Sequence, residues 1–152
     1  MRRGAYEKRL KKYGPMNTEV IADGLRVAVS LVSDYFFEDA KPFLRDLIPK
    51  AENVLGNQHQ NTLVARQLYA EALWKHCDSN LAEVREAVVV LEELSRIMRQ
   101  VFGTSHPNYR SVQDHLANAR KRLSLEEGRL VEDASEKLAQ GLRIDGDESD
   151  AP

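Results

Sequence analysis

The chain has 152 residues, enough for one domain with a substantial core and too few to expect two. Hydrophobic residues make up 42% and charged residues 30%, and a net charge of −2 gives no bulk electrostatic reason to expect a nucleic-acid or membrane partner. No apolar run approaches the roughly 18–20 residues that a bilayer requires, and the basic N-terminus lacks the apolar core of a secretory signal.

Residues 1–13 crowd Arg2, Arg3, Lys8, Arg9, Lys11 and Lys12 against the single acid Glu7. They read as a solvated basic segment or as a patch for an acidic partner, without the aromatic interleaving of nucleic-acid readers. From about 17 to 34, Val20, Ile21, Leu25, Val27, Ala28, Leu31 and Val32 share one wide face at helical spacing. A second helix from about 38 to 55 carries Ala40, Phe43, Leu44, Leu47, Ile48, Ala51, Val54 and Leu55. Pro42 falls in its first turn, where a missing N–H costs little. Pro49 sits mid-helix and predicts a kink, because the apolar period survives it.

Leu63, Leu68, Tyr69, Ala72, Leu73 and Trp74 mark a third helix from about 60 to 76. Val84, Ala87, Val88, Leu91, Leu94, Ile97, Met98 and Val101 mark a fourth from about 81 to 102. A fifth starts near Pro107 with Val112, Leu116, Ala119 and Leu123. The helical period then continues to about 140 through Leu130, Val131, Ala134 and Leu138, with Gly128 a candidate break. Beyond it, residues 141–152 are Asp- and Gly-rich and predict an acidic, disordered tail. The lone Cys77 cannot close an internal disulfide, so a reducing, cytoplasmic setting is expected.

The chain also repeats itself. Val54-Leu55-Gly56-Asn57-Gln58-His59-Gln60-Asn61 returns 47 residues later as Val101-Phe102-Gly103-Thr104-Ser105-His106-Pro107-Asn108. The same offset carries Leu44 onto Leu91 and Leu47 onto Leu94. A fainter copy, Tyr13-Gly14-Pro15-Met16-Asn17-Thr18, places Gly14 42 residues before Gly56. Each Gly follows one apolar helical pattern and precedes another, where a left-handed residue ends a helix. The Asn, Thr, Ser, His and Pro residues that follow suit an N-cap and first turn. The repeated unit is therefore a helix end, a tight turn and a helix start.

Leu-Gly-x-x-His-Pro-Asn, then a helix with a large apolar residue before Ala, then Glu-Ala opening a second helix, resembles the kinesin-light-chain class of tetratricopeptide repeats. It is also similar to the divergent repeats of that type abundant in eukaryotic algae. The resemblance spans residues 13 to about 123. It implies an all-α fold: a short right-handed solenoid of antiparallel helix pairs over residues 14–140, ending in a long capping helix. Residues 1–13 would be the remnant of a preceding repeat's second helix. In that family Ala28, Ala70 and Ala117 would be small packing residues on first helices, met by Ala40 and Ala87 on second helices. The extra length of the second repeat falls in the loop around His76-Cys77-Asp78-Ser79-Asn80.

The same resemblance implies a non-enzymatic adaptor whose first helices line a concave groove for a protein or peptide partner. Helical geometry then puts Gln67, Glu71, Trp74 and Lys75 on the groove side of the third helix. Asp114, Asn118, Lys121 and Arg122 fall on the groove side of the fifth. Trp74, the sole tryptophan, is a candidate anchor, or else a cover for the loop after it. Leu25, Val29 and Val32 leave the first helix apolar at the matching positions. An alternative role is therefore a structural subunit, docking through that face and through unpaired repeat ends on itself or on a fixed partner. No nucleophile elbow, phosphate loop or zinc-protease helix occurs in the sequence, and His76-Cys77 and the lone His115 lack metal-ligand spacing. His59 and His106 read as turn and cap residues. No catalytic residue, metal or cofactor is expected.

Overall fold

The structure, a computed structural model, describes residues 2–148, with side chains placed for residues 3–142. These residues form six helices: α1 (Arg2–Tyr13), α2 (Thr18–Ser33), α3 (Phe37–Leu55), α4 (Gln60–Lys75), α5 (Leu81–Phe102) and α6 (Pro107–Glu148). The chain is all-α across the described residues, and α2 to α5 begin and end within one residue of the positions read from periodicity.

The repeated turns supply the caps. Asn17 Oδ1 accepts from the N–H groups of Glu19 and Val20 at 2.9 and 3.3 Å, and Asn80 Oδ1 accepts from Glu83 N–H at 2.9 Å. His59 and His106 do the same with Nδ1, accepting from Asn61 N–H at 3.0 Å and from Asn108 N–H at 3.1 Å. An accepting Nδ1 is unprotonated, so each neutral imidazole carries its proton on Nε2. At the preceding helix ends, Gly56 and Gly103 have positive φ (93° and 83°) as expected. Their ψ values of 162° and 168°, however, place them in the extended region open essentially to glycine alone, not in the left-handed helical well.

α4 is the centre of the packing. It touches α3 and α5 as chain neighbours and α2 and α6 as second neighbours, while α3 and α5 share no backbone contact. Its Leu63, Ala65, Ala70, Ala72 and Leu73 join Leu44, Leu47, Leu91, Leu94, Met98 and Val112 in one core. Burying each of the large side chains is worth about 1.5–3 kcal/mol. α1 covers the outer side of α2 through Tyr6, which packs with Val20 and Val27 and edge-on to Phe43 at 5.5 Å. Gly24 permits this approach: a Cβ there would lie 2.9 Å from Leu47 Cδ1 and 3.2 Å from Tyr6 Cε2.

Several expectations are corrected. Ala28, Ala40, Ala70 and Ala87 are completely buried, but Ala117 is exposed, because no described helix covers that side of α6. Pro49 lies inside α3, which continues through it to Leu55 as the surviving apolar period implied. Gly128 does not break α6, since an isolated helical glycine costs only about 1 kcal/mol relative to alanine. Gly141 does not end it either: helix continues to Glu148 where composition suggested disorder, and only residues 149–152 of that tail lie outside the described residues. With 42 residues, α6 is about 63 Å long. The Arg85–Glu127 ion pair at 3.2 Å ties it to α5, and residues 128–142 are exposed throughout. No described helix is long and apolar enough to cross a membrane.

Candidate functional site

α4 and α6 lie side by side and present the eight residues singled out from the sequence. Five of them, Trp74, Lys75, Asn118, Lys121 and Arg122, line a single cleft of about 710 Å³, together with Cys77, Leu125, Glu126 and Arg129. Gln67, Glu71 and Asp114 do not line it. Gln67 is spent bridging the two helices, its Nε2 donating to Ser111 Oγ at 2.8 Å. Glu71 lies behind the cleft wall, accepting from Lys75 Nζ at 2.6 Å and facing His115 Nε2 at 3.7 Å. Asp114 is solvent-exposed.

Among the five, the roles differ. Trp74 is half-buried, with its ring 5.8 Å from that of His115 and Lys75 Nζ 5.6 Å from its centroid. Its Nε1–H is buried without a hydrogen-bond partner, an orphan donor in the cleft wall. Arg122, expected to contact a ligand, is turned inward. Its Nη1 donates to the carbonyls of Trp74 and His76 (2.6 Å for the latter), and Nη2 to those of Cys77 and Ser79 at 3.4 and 3.3 Å. The planar fork of guanidinium is suited to gathering several carbonyls at once. Arg122 therefore ties down the extended α4–α5 loop and shapes the cleft from behind. Lys75, Asn118, Lys121 and Arg129 remain on the surface, and of the cationic residues in the cleft only Lys121 has no described ion pair.

The loop has a second tether that the sequence did not reveal. Lys41, on the first turns of α3, is buried and donates to Glu83 Oε2 at 2.6 Å and Ser79 Oγ at 2.9 Å, with Nζ 2.9 Å from His76 Nδ1. This bond from Lys41 holds the Glu83 carboxyl below its ordinary range. A lysine four residues into a helix pattern looks like a solvated position; only the loop packed over it makes it internal.

The donor atoms of His76, Cys77 and Asp78 lie within 4.8 Å of one another, closer than adjacency in sequence suggests. An ammonium group can only donate, so His76 Nδ1 accepts from Lys41 and the neutral ring keeps its proton on Nε2. That Nε2–H faces Asp78 at 3.8 Å and Glu38 at 3.9 Å. A metal at Nε2 would have to displace this proton against the adjacent lysine. Burial lowers the affinity of His115 for a proton, opposed by the nearby Glu71 carboxylate.

A second cleft, of about 410 Å³, opens between α3 and α5 over α4. Here Arg45 Nε donates to Tyr69 Oη at 2.9 Å, and Tyr69 donates to Glu86 Oε1 at 2.7 Å. This chain of bonds joins three helices, and burial raises the Tyr69 pKa above its ordinary value. Tyr69 and Glu86 stand in the repeat pattern as the large residue before Ala70 and the acid of Glu86-Ala87, but nothing in the sequence joined them to Arg45. On the α2 side, Val32 is buried, Leu25 is half-buried and Val29 is 37% exposed, so the apolar groove face expected there is mostly consumed by the core.

No protein-family model matches the chain, and no curated protein matches it significantly.

Proposed function

We propose that the chain is a non-enzymatic interaction module of tetratricopeptide-like helix pairs that binds an acidic peptide or partner helix in the α4–α6 cleft. The observation that carries this reading is the convergence of Trp74, Lys75, Asn118, Lys121 and Arg122, chosen from helical spacing, on one cleft. The cleft offers an aromatic wall at Trp74, an apolar lip at Leu125, and the cations Lys75, Lys121 and Arg129 against the single acid Glu126. Such a surface suits a segment with one apolar anchor flanked by carboxylates.

The test uses a synthetic array of short peptides in which acidic residues flank a single Leu or Phe, with hits titrated against the Trp74 fluorescence. Lys121→Glu is expected to weaken binding at least tenfold, which corresponds to about 1.4 kcal/mol. Trp74→Ala should abolish it by a label on Cys77 as the alternative reporter, while helicity is retained. Binding that survives both variants, or preference for basic peptides, would refute the assignment of the cleft.

A further inference from the structure

Granted that the α4–α6 cleft binds an acidic segment, we propose that His115 sets its affinity: a proton on the imidazole draws the Glu71 carboxylate away from Lys75 and leaves Lys75 free for the ligand. His115 stands on α6 beside Trp74, with ring centroids 5.8 Å apart, and does not itself line the cleft. Its Nε2 lies 3.7 Å from Glu71 Oε2, just beyond hydrogen-bonding distance. The side chain of His115 is 17% exposed and that of Glu71 16%, so a charge placed between them is poorly screened.

Glu71 is shared between the two cations. Its Oε1 accepts from Lys75 Nζ at 2.6 Å, while Oε2 faces His115. Lys75 Nζ is in turn 5.6 Å from the Trp74 ring centroid, which holds the ammonium along the aromatic wall of the cleft. While His115 is neutral, the whole charge of Glu71 serves Lys75. An imidazolium donates from both nitrogens, and a small rotation closes the 3.7 Å gap to a charge-assisted hydrogen bond. One carboxylate then answers two cations: its hold on Lys75 weakens, and the wall of the cleft gains a positive charge.

No other charge around the ring takes the place of Glu71. Asp114, on the same helix, is exposed. Arg85 and Glu92, through which α5 reaches α6, are paired with Glu127 and Arg120. Burial lowers the proton affinity of His115, Glu71 raises it, Lys75 lowers it and Asp114 raises it, and the balance lies below the ordinary 6.5. The cleft is therefore in its Lys75–Glu71 state at neutral pH and changes state on acidification. Linkage makes the effect reciprocal: a bound carboxylate that lifts Lys75 off Glu71 raises the proton affinity of His115 by the same factor. A gain of about threefold in ligand affinity is equivalent to a rise of about half a pH unit in the His115 transition. The direction is opposite to the ordinary effect of acid on such a ligand, which protonates its carboxylates and weakens binding.

Trp74, the sole tryptophan, reports the step, because an imidazolium beside an indole quenches its fluorescence. In the full chain without ligand, Trp74 emission is expected to fall through a transition below pH 6.5 that is absent from His115→Gln. Lys75→Met, which leaves Glu71 wholly to His115, should raise the transition, and Glu71→Gln should lower it. The peptide Glu-Glu-Leu-Glu-Glu, titrated by calorimetry, should bind about threefold more tightly on the acid plateau of the transition than on the neutral one. His115→Gln should bind it no more tightly in acid. A transition that survives in His115→Gln, or that Lys75→Met leaves in place, overturns the coupling. Equal wild-type affinities on the two plateaus overturn the control of affinity and leave the function of the cleft standing. A peptide that binds on neither plateau overturns that function, and the control with it, even where the fluorescence transition is present.

Discussion

Arg122→Ala is the substitution whose consequence follows most directly from the geometry. The guanidinium is 17% exposed and donates to four carbonyls of one connection: Trp74, His76, Cys77 and Ser79. The two bonds from Nη1 are short, and the two from Nη2, at 3.3 and 3.4 Å, are weak. A hydrogen bond involving a charged group contributes about 1.5–3 kcal/mol net, and the longer pair adds little. Two such bonds would sum to about 3–6 kcal/mol, but because both come from one nitrogen and are not independent, about 2–4 kcal/mol is expected on removing the side chain. For a chain of this size each kcal/mol lowers Tm by about 2–4 °C, so a fall of roughly 4–16 °C is expected in a circular-dichroism melt. Arg122→Lys keeps the charge but loses the fork, and should recover less than half of the loss. Native-state hydrogen exchange should show protection falling first at residues 76–80. A cost under about 0.5 kcal/mol, the size of an ordinary surface substitution, with unaltered exchange in that loop would refute the tether.

Lys41→Met should destabilise by about 2–4 kcal/mol, because it leaves the Glu83 carboxylate with only the long Ser79 hydroxyl bond and no cation; urea titration of Lys41→Met with and without Glu83→Gln should show part of the loss relieved by the second change. The pH profile of stability should have two acid-side steps. The folded His115 pKa lies below its ordinary 6.5, so between the two values the unfolded chain binds a proton that the folded chain refuses, and stability falls as pH drops below 6.5. Glu83, held below its ordinary 4.5 by Lys41, adds stability above 4.5 that is lost as pH falls through its folded value. His115→Gln should remove the upper step alone in thermal melts read across that range. Gly56→Ala and Gly103→Ala should each cost about 1–3 kcal/mol, since their φ near +90° with extended ψ is closed to residues bearing a Cβ; equal melting temperatures would contradict those backbone angles.

The helices were legible because their apolar periods are long and the turns between them repeat. Val54–Asn61 and Val101–Asn108 announce the same Gly-ended helix and His-capped start, and the structure uses both histidines through Nδ1. What stayed hidden depends on which neighbour covers a residue. Gly24 looks like a flaw in a helical face until Tyr6 and Leu47 are seen against it. Lys41 becomes internal only because the 76–80 loop folds over α3. Ala117 matches Ala28 and Ala70 in position yet stays exposed, because spacing along a helix cannot report whether another helix covers that side. The candidate cleft was half legible for the same reason: helical projection found the face, but not that Arg122 turns inward to the loop carbonyls while Gln67 and Glu71 are occupied within the protein.

These differences divide α6 into two functional lengths. From Pro107 to Glu127 it is a wall of the bundle, packed on α5 and α4, and its outward residues Asn118 and Lys121 complete the cleft with Trp74. From Gly128 to Leu142 the same apolar stripe persists with every described side chain exposed. Burial within the chain cannot account for Val131, Leu138 and Leu142, since an isolated amphipathic segment gains nothing from an apolar face turned to water. A helix shortened at Glu127 would therefore keep the bundle and all of the cleft lining except Arg129. Deleting residues 128–152 tests this division: the shortened chain should melt within a few °C of the full one and bind peptide at Trp74 more weakly, by no more than the loss of Arg129 from the cleft explains. Loss of cooperative melting in the shortened chain would instead make the projecting half part of the fold, and the division at Glu127 would fall with it.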